Sequence, residues 1–168
     1  MRASLSYAIF NTEIGWVGVI GSSDGLCRLT WHQPTTEAVL AELSPFLSGA
    51  VADFHPFGDL PLRLQRYFRG EMVSFPDKLD LKGVTPFQRA VLLLVHSIPY
   101  GETRSYASVA NELGKAKAFR VVGQVLAQNP IPIIIPCHRV IGSDGGLVGF
   151  GSGLGLKRRL LEMEAVAR

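Results

Sequence analysis

Cysteine is scarce in this 168-residue sequence: there are two, Cys27 and Cys137, far apart in the chain. Without a secretory signal, such a pair does not make a disulfide framework, and both are read as reduced thiols. No Cys-x-x-Cys or His-x-x-x-His spacing accompanies them, so a zinc site has no ligand set, and no metal or cofactor is expected. No run approaches the roughly 20 apolar residues that span a bilayer. The start, "MRASLSYAIFNTEIGWVGVIG", has an acid and a turn where a signal peptide needs an unbroken apolar core, which points to a cytoplasmic protein. Nucleotide fingerprints are missing too. The glycine-rich "GSDGGLVGFGSGLG", residues 142–155, follows neither the Gly-x-Gly-x-x-Gly pattern nor a phosphate loop closed by Gly-Lys-Ser/Thr.

What is present is a chain that is 47% hydrophobic, enough for an ordinary buried core. Its net charge of +3 is unevenly spread. Residues 1–84 carry 7 Lys/Arg against 9 Asp/Glu, whereas residues 85–168 carry 10 against 5. The basic half holds Cys137, which suggests a polyanionic partner for that half.

The first half alternates in the manner of strands through "SYAIFNT", "GWVGVIG" and "LCRLTW", with turn residues between them, so a β-meander is expected. "TTEAVLAELSPFL" and "LPLRLQRYFRG" read as helices, the second stopped by Gly70. A small α/β unit over 1–78 and a linker at 79–84 follow. From Thr85 the pattern is mainly helical. "TPFQRAVLLLVHSI" puts Thr then Pro at a helix start, with Phe87, Val91, Leu94 and Val95 on one face. "SYASVANELG", opened by Ser105 and closed by Gly114, and "AFRVVGQVLAQ", ended by Asn129, suggest a helix-turn-helix. In its second helix Phe119, Val122 and Leu126 are expected inward, while Arg120, Gly123, Gln124 and Ala127 form a low, basic outer face. A low face with one long cation suits close approach to a nucleic acid, and a plain antiparallel helix pair is the alternative. The tail "KRRLLEMEAVAR" reads as a helix with Leu160, Leu161 and Met163 inward and Lys157 to Arg159 solvated.

The stretch "NPIPIIIPCHRVIG" sets a cysteine, a histidine and an arginine directly after an apolar strand-like run. Cations beside a thiol lower its pKa toward the thiolate, which is the nucleophile. A buried structural cysteine, a metal ligand and a nucleophile with His138 as base all compete at this point. Against the last stands the geometry of a strand, where neighbours point to opposite faces, so that a bend after Pro136 or a bridging water is required.

"TPFQRAV", "IPYGETRSYASVA", "KAFRVVGQVLAQNP", "IPCHRV" and the downstream "LVGFGSGL" and "LLEMEA" together closely resemble the O6-alkylguanine-DNA alkyltransferases. The likeness runs from about Thr85 to Glu164; the first half is similar only through "GLCRLTW" and "LQRYFRGE". The resemblance implies an N-terminal ribonuclease-H-like α/β domain, then, over 85–168, a winged-helix-like DNA-binding domain carrying the active site. It implies irreversible transfer of an alkyl group from O6 of guanine, with O4 of thymine left open, to Cys137. His138, polarised by Glu164 and working through a water, would take the thiol proton. Tyr106 would serve N3 of the leaving guanine. Arg120 would fill the space left by a nucleotide flipped from the minor-groove side of double-stranded DNA, with Ala118, Gly123, Lys115, Lys117, Tyr106 and Arg139 at the DNA. Val140, Phe150, Gly151, Ser152, Asn129 and Pro136 would shape the substrate pocket. A monomer is implied, with cooperativity along DNA left open. A pure binder of alkylated bases would need none of the thiol chemistry, and a cysteine hydrolase would be indifferent to DNA.

Overall fold

The computed structural model describes residues 4–149, 151 and 153–166. The chain divides into two compact units, Met1–Lys82 and Gly83–Arg168.

In the first unit the alternating segments form β1 (Leu5–Thr12), β2 (Gly15–Ser22) and β3 (Gly25–Gln33), an antiparallel meander. A short β4 (Ala50–Ala52) adds parallel to β1, giving the sheet order β3-β2-β1-β4. Three residues are too few to show a period, and β4 has no counterpart in the sequence reading. Helix α1 (Thr36–Leu43) begins where the Thr35 hydroxyl accepts from the Ala38 N–H, and it lies on the sheet over Gly18. A Cβ on Gly18 would sit 2.4 Å from Val39 and 2.7 Å from Leu43, so only glycine lets the helix approach this closely. Helix α2 (Leu60–Phe68) buries Leu60, Leu64, Tyr67 and Phe68. Cys27 lies in β3, half-buried, and burial pushes its thiol pKa up, with no lasting activation. Within the expected linker, the Asp80 N–H donates to Leu26 O and the Leu26 N–H to Lys78 O, so residues 78–80 are tied to β3 and the unit ends at Lys82.

The second unit is mainly helical. Helix α3 (Pro86–His96) starts in a complete capping box: the Thr85 hydroxyl accepts from the Gln88 N–H while the Gln88 side chain accepts from the Thr85 N–H. Its buried residues are Val91, Leu92 and Val95, with Leu94 only half-buried, a rotation of the core stripe by one residue from the expected face. Helix α4 (Tyr106–Glu112) is capped by Ser105 and stopped at Gly114, whose φ of 71° lets the Lys115 N–H reach back to Ala110 O. After a single 3-10 turn comes α5 (Phe119–Ala127), which buries Val122, Val125 and Leu126. Phe119 is not inward as expected but 44% exposed: it shares the face of Val122 and Leu126, yet as the first residue of the helix it stands one turn beyond the end of the buried stripe.

The apolar run before the cysteine is not a strand. Ile133 has a left-handed φ of 73°, an unfavourable place for a β-branched side chain costing about 1–3 kcal/mol. The Ile135 N–H closes on Ile131 O, and Pro136, at φ −81° and ψ 66°, makes an inverse γ-turn sealed by Cys137 N–H to Ile135 O at 2.8 Å. Cys137–Arg139 then form one 3-10 turn. From there β6 (Val140–Ile141) pairs in parallel with β5 (Arg104–Ser105). Helix α6 (Leu154–Val166) closes the unit, with Lys157, Leu160 and Glu164 as its buried stripe.

Candidate active site

Cys137 is 6% exposed and forms part of the wall of a cavity of about 650 Å3. Around it stand Tyr106 from α4, Arg120, Gly123 and Ala127 from α5, and Gly149 and Gly151 from the glycine-rich segment. The turn found in place of the strand removes the objection to a Cys-His pairing, since successive side chains no longer alternate between two faces. Asn129 braces this turn: its Nδ2 donates to Ile135 O at 2.8 Å, its Oδ1 accepts from the Ile131 N–H at 3.0 Å, and its side chain also bonds the Cys137 sulfur. Asn129, Pro136 and Val140 hold the cysteine from behind and do not line this cavity.

His138 and Glu164 are both 1% exposed, with Nε2 and Oε1 at 2.7 Å. Burial pushes the Glu164 pKa up, but the bonds from His138 and Arg139 more than offset this and hold it at about 2. As a carboxylate it only accepts, so His138 Nε2 carries the proton and Nδ1 is the basic nitrogen. Burial, together with the Arg139 and Lys157 charges, outweighs the pull of Glu164 and lowers the His138 pKa below its ordinary 6.5, leaving a neutral imidazole. For Cys137 burial again dominates: it raises the thiol pKa, although the Asn129 bond and the Lys157 charge lower it. The expectation of a resting thiolate is therefore corrected. The sulfur is held as a thiol, next in the chain to a neutral imidazole.

Two family models match the chain. Residues 5–81 fit the 6-O-methylguanine DNA methyltransferase, ribonuclease-like domain, and residues 86–166 fit its DNA binding domain. The chain is 50% identical over 158 residues to the methylated-DNA--protein-cysteine methyltransferase of Methanosarcina barkeri, covering 94% of this chain and 96% of that protein. It is 40% identical over 163 residues to the protein of that name from Mycobacterium bovis, covering 95% and 92%. Among solved structures, Mycobacterium tuberculosis OGT in complex with DNA superposes with a TM-score of 0.81 at 38% identity, covering 96% of this chain and 94% of that one. The chain belongs to the 6-O-methylguanine DNA methyltransferase family. It has the family's ribonuclease-like domain followed by its DNA-binding domain, and the cysteine chemistry above sits in the second.

Two residues of this methyltransferase stand differently from expectation. Arg139, placed at the DNA by the resemblance, is buried: its guanidinium bonds both oxygens of Glu164 at 2.9 to 3.2 Å and donates to Ile98 O at 2.7 Å. A guanidinium committed to a buried carboxylate cannot reach a phosphate, so it organises Glu164 instead. Lys157, read as solvated, is 0% exposed. Its three N–H donors go to Val140 O at 2.6 Å, Val148 O at 3.0 Å and the Tyr106 hydroxyl at 3.3 Å. That lysine is the functional residue which sequence reasoning missed. The available signal was spacing: Lys157 stands three residues before the inward Leu160 and seven before Glu164.

Tyr106 in turn donates to Val148 O at 2.8 Å, so lysine and tyrosine together pin the glycine-rich segment. Its front is a closed turn, Gly142 N–H to Gly146 O at 2.8 Å, rather than a loose loop. Val140 O already accepts from Lys157 and keeps one lone pair for a ligand. A Cβ on Gly123 would meet the Tyr106 ring at 3.8 Å, an ordinary contact, so packing does not require glycine there and its effect is to keep the cavity rim low. Lys115, Lys117 and Arg120 are exposed and Ala118 half-buried along the approach to α5. Phe150 and Ser152 lie outside the described residues. Among the described residues no cluster of three or more His, Cys, Asp and Glu could hold a metal ion, and no helix is long and apolar enough to cross a membrane.

Proposed function

We propose that this chain is a single-use DNA repair protein, a methylated-DNA--protein-cysteine S-methyltransferase that moves an alkyl group from O6 of guanine to Cys137. One observation carries the reading: Cys137 lines a cavity rimmed by the basic end of α5, and the next residue in the chain, His138, is bonded to the buried Glu164. The lesion inside a duplex is out of reach of a sulfur this buried, so the nucleotide is turned out into the cavity, at a cost of a few kcal/mol. Arg120 fills the space it leaves, and Lys115 and Lys117 hold phosphates on the minor-groove side.

In the reaction His138 Nδ1, through a water, takes the thiol proton, and Glu164 stabilises the imidazolium that forms. The sulfur attacks the alkyl carbon, the carbon–O6 bond breaks, and its electrons pass to the purine. The Tyr106 hydroxyl, bonded by the Lys157 ammonium, supplies a proton or hydrogen bond at N3 where charge develops. The product is a thioether, which water does not cleave, so each molecule reacts once. The test is mass spectrometry of the intact protein and of its Cys137 peptide after incubation with an oligonucleotide carrying one O6-methylguanine. A gain of one methyl on Cys137, at one equivalent per lesion, is expected. Steady turnover, or tight binding with Cys137 unmodified, refutes the reading.

A further inference from the structure

The outer face of α5 is uneven. Gly123 and Ala127 lie low on it, while Phe119 and Val121 are each 44% exposed and stand above them. Phe119 stands one turn before the first buried residue of the helix, Val122, so nearly half of its ring faces out of the core. It occupies the first turn of the helix beside Arg120, whose guanidinium carbon is 5.9 Å from its ring centroid, and both residues line the same cavity as Cys137. Exposed Lys115, Lys117 and Arg120 make this tip cationic, so the surface that meets the ring belongs to a polyanion. A protruding ring against a stiff duplex holds Gly123 and Ala127 away from it by about the thickness of the ring, unless the ring is taken into the stack. Phenylalanine is one of the side chains suited to that: an apolar wedge partly unstacks a base step and bends the helix away.

We propose that Phe119 enters the duplex alongside Arg120 as a wedge against the base step next to the extruded nucleotide, a specificity element favouring paired DNA over free base. The inference rests on the functional reading above. Arg120 supplies charge and length in the gap, and Phe119 supplies the flat apolar surface that keeps the neighbouring step from closing.

The test compares the full-length wild type with Phe119→Ala and Phe119→Trp. Single-turnover transfer is measured from a duplex containing O6-methylguanine and from free O6-benzylguanine. In a Cys137→Ala background, 2-aminopurine beside the lesion reports unstacking. Phe119→Ala is expected to lower the duplex-to-free-base rate ratio by about tenfold, or 1.4 kcal/mol in the barrier difference. The 2-aminopurine signal should fall with it, and Phe119→Trp should recover most of both. A ratio unchanged by Phe119→Ala, or a tryptophan variant as impaired as the alanine one, overturns the wedge. Transfer by the wild type with an unchanged Phe119→Ala ratio sinks the wedge alone. No transfer by the wild type from either substrate overturns the functional reading and the wedge with it.

Discussion

Replacing Glu164 by glutamine keeps the size of the side chain and removes its charge. In the native protein that charge receives the His138 Nε2 proton and the Arg139 fork at separations of 2.7 to 3.2 Å, within a site 1% exposed. Its pKa of about 2 lies roughly two units below the ordinary glutamate value near 4.3, equivalent to about 3 kcal/mol of native-state stability at neutral pH. Removing one member of a buried ion pair costs about 3–5 kcal/mol by a separate route, because the Arg139 cation is left without its counter-charge. The two figures agree, and about 3 kcal/mol is expected. Because the folded pKa is depressed, the contribution is complete above pH of about 4.3 and is lost as pH falls through about 2. Hydrogen exchange of α3 to α6 amides in urea follows the second unit. Trp16 and Trp31 both belong to the first, so their fluorescence is the internal control. With a slope of about 1–3 kcal/mol per molar urea, the variant's midpoint should drop by roughly 1–3 M and its acid loss below pH of about 4 should flatten. A loss under about 1 kcal/mol, or an acid limb identical to the wild type's, refutes the claim that Glu164 is an ionised native tie.

Cys137→Ala should abolish transfer and leave DNA affinity within about twofold, measured by fluorescence anisotropy; a collapse of affinity would contradict the separation of docking from chemistry. Arg120→Ala should slow repair of a duplex about tenfold more than reaction with free O6-benzylguanine, because only the duplex requires extrusion, and equal slowing would remove that role. Gly123→Ala should raise stability by about 0.5–1 kcal/mol, since the helix gains and Tyr106 leaves room, while slowing duplex repair; a destabilised variant would contradict the room that a 3.8 Å approach to the Tyr106 ring leaves for a methyl group. The single-turnover rate with free base should hold as pH is lowered through 6.5 and fall only below it, because the His138 pKa lies under its ordinary value; a decline centred above 6.5 would contradict a neutral buried imidazole.

Legibility in the sequence followed the kind of signal. Caps and periods were readable: Thr85 before Pro86, Ser105, Gly114 and the strand alternation of the meander all stand where local chemistry puts them. Three features were not. Ile131 to Ile135 read as a strand because β-branched residues favour one, yet the turn, with Ile133 at φ 73°, is imposed by the bonds around Asn129 and Pro136. Lys157 and Glu164 share the inward stripe of α6 with Leu160; the apolar period found the leucine, but two charges on that stripe are tolerable only through carbonyl and imidazole partners distant in the chain, which no local pattern reveals. The raised thiol pKa depends on how completely Cys137 is enclosed, which neighbouring basic residues in the sequence do not reveal.

The pairing of β5 with β6 has a practical meaning. Ser105 both joins that ladder, opposite Ile141, and caps the helix that begins with Tyr106, while Val140, opposite Arg104, follows the Cys137–Arg139 turn directly. Main-chain bonds thus splice Tyr106 to the Cys137–Arg139 turn with no adjustable side chain between them. A side chain replaced in the chamber wall leaves this splice intact, but a single residue inserted on either side of that two-rung seam would throw sulfur and phenol out of step.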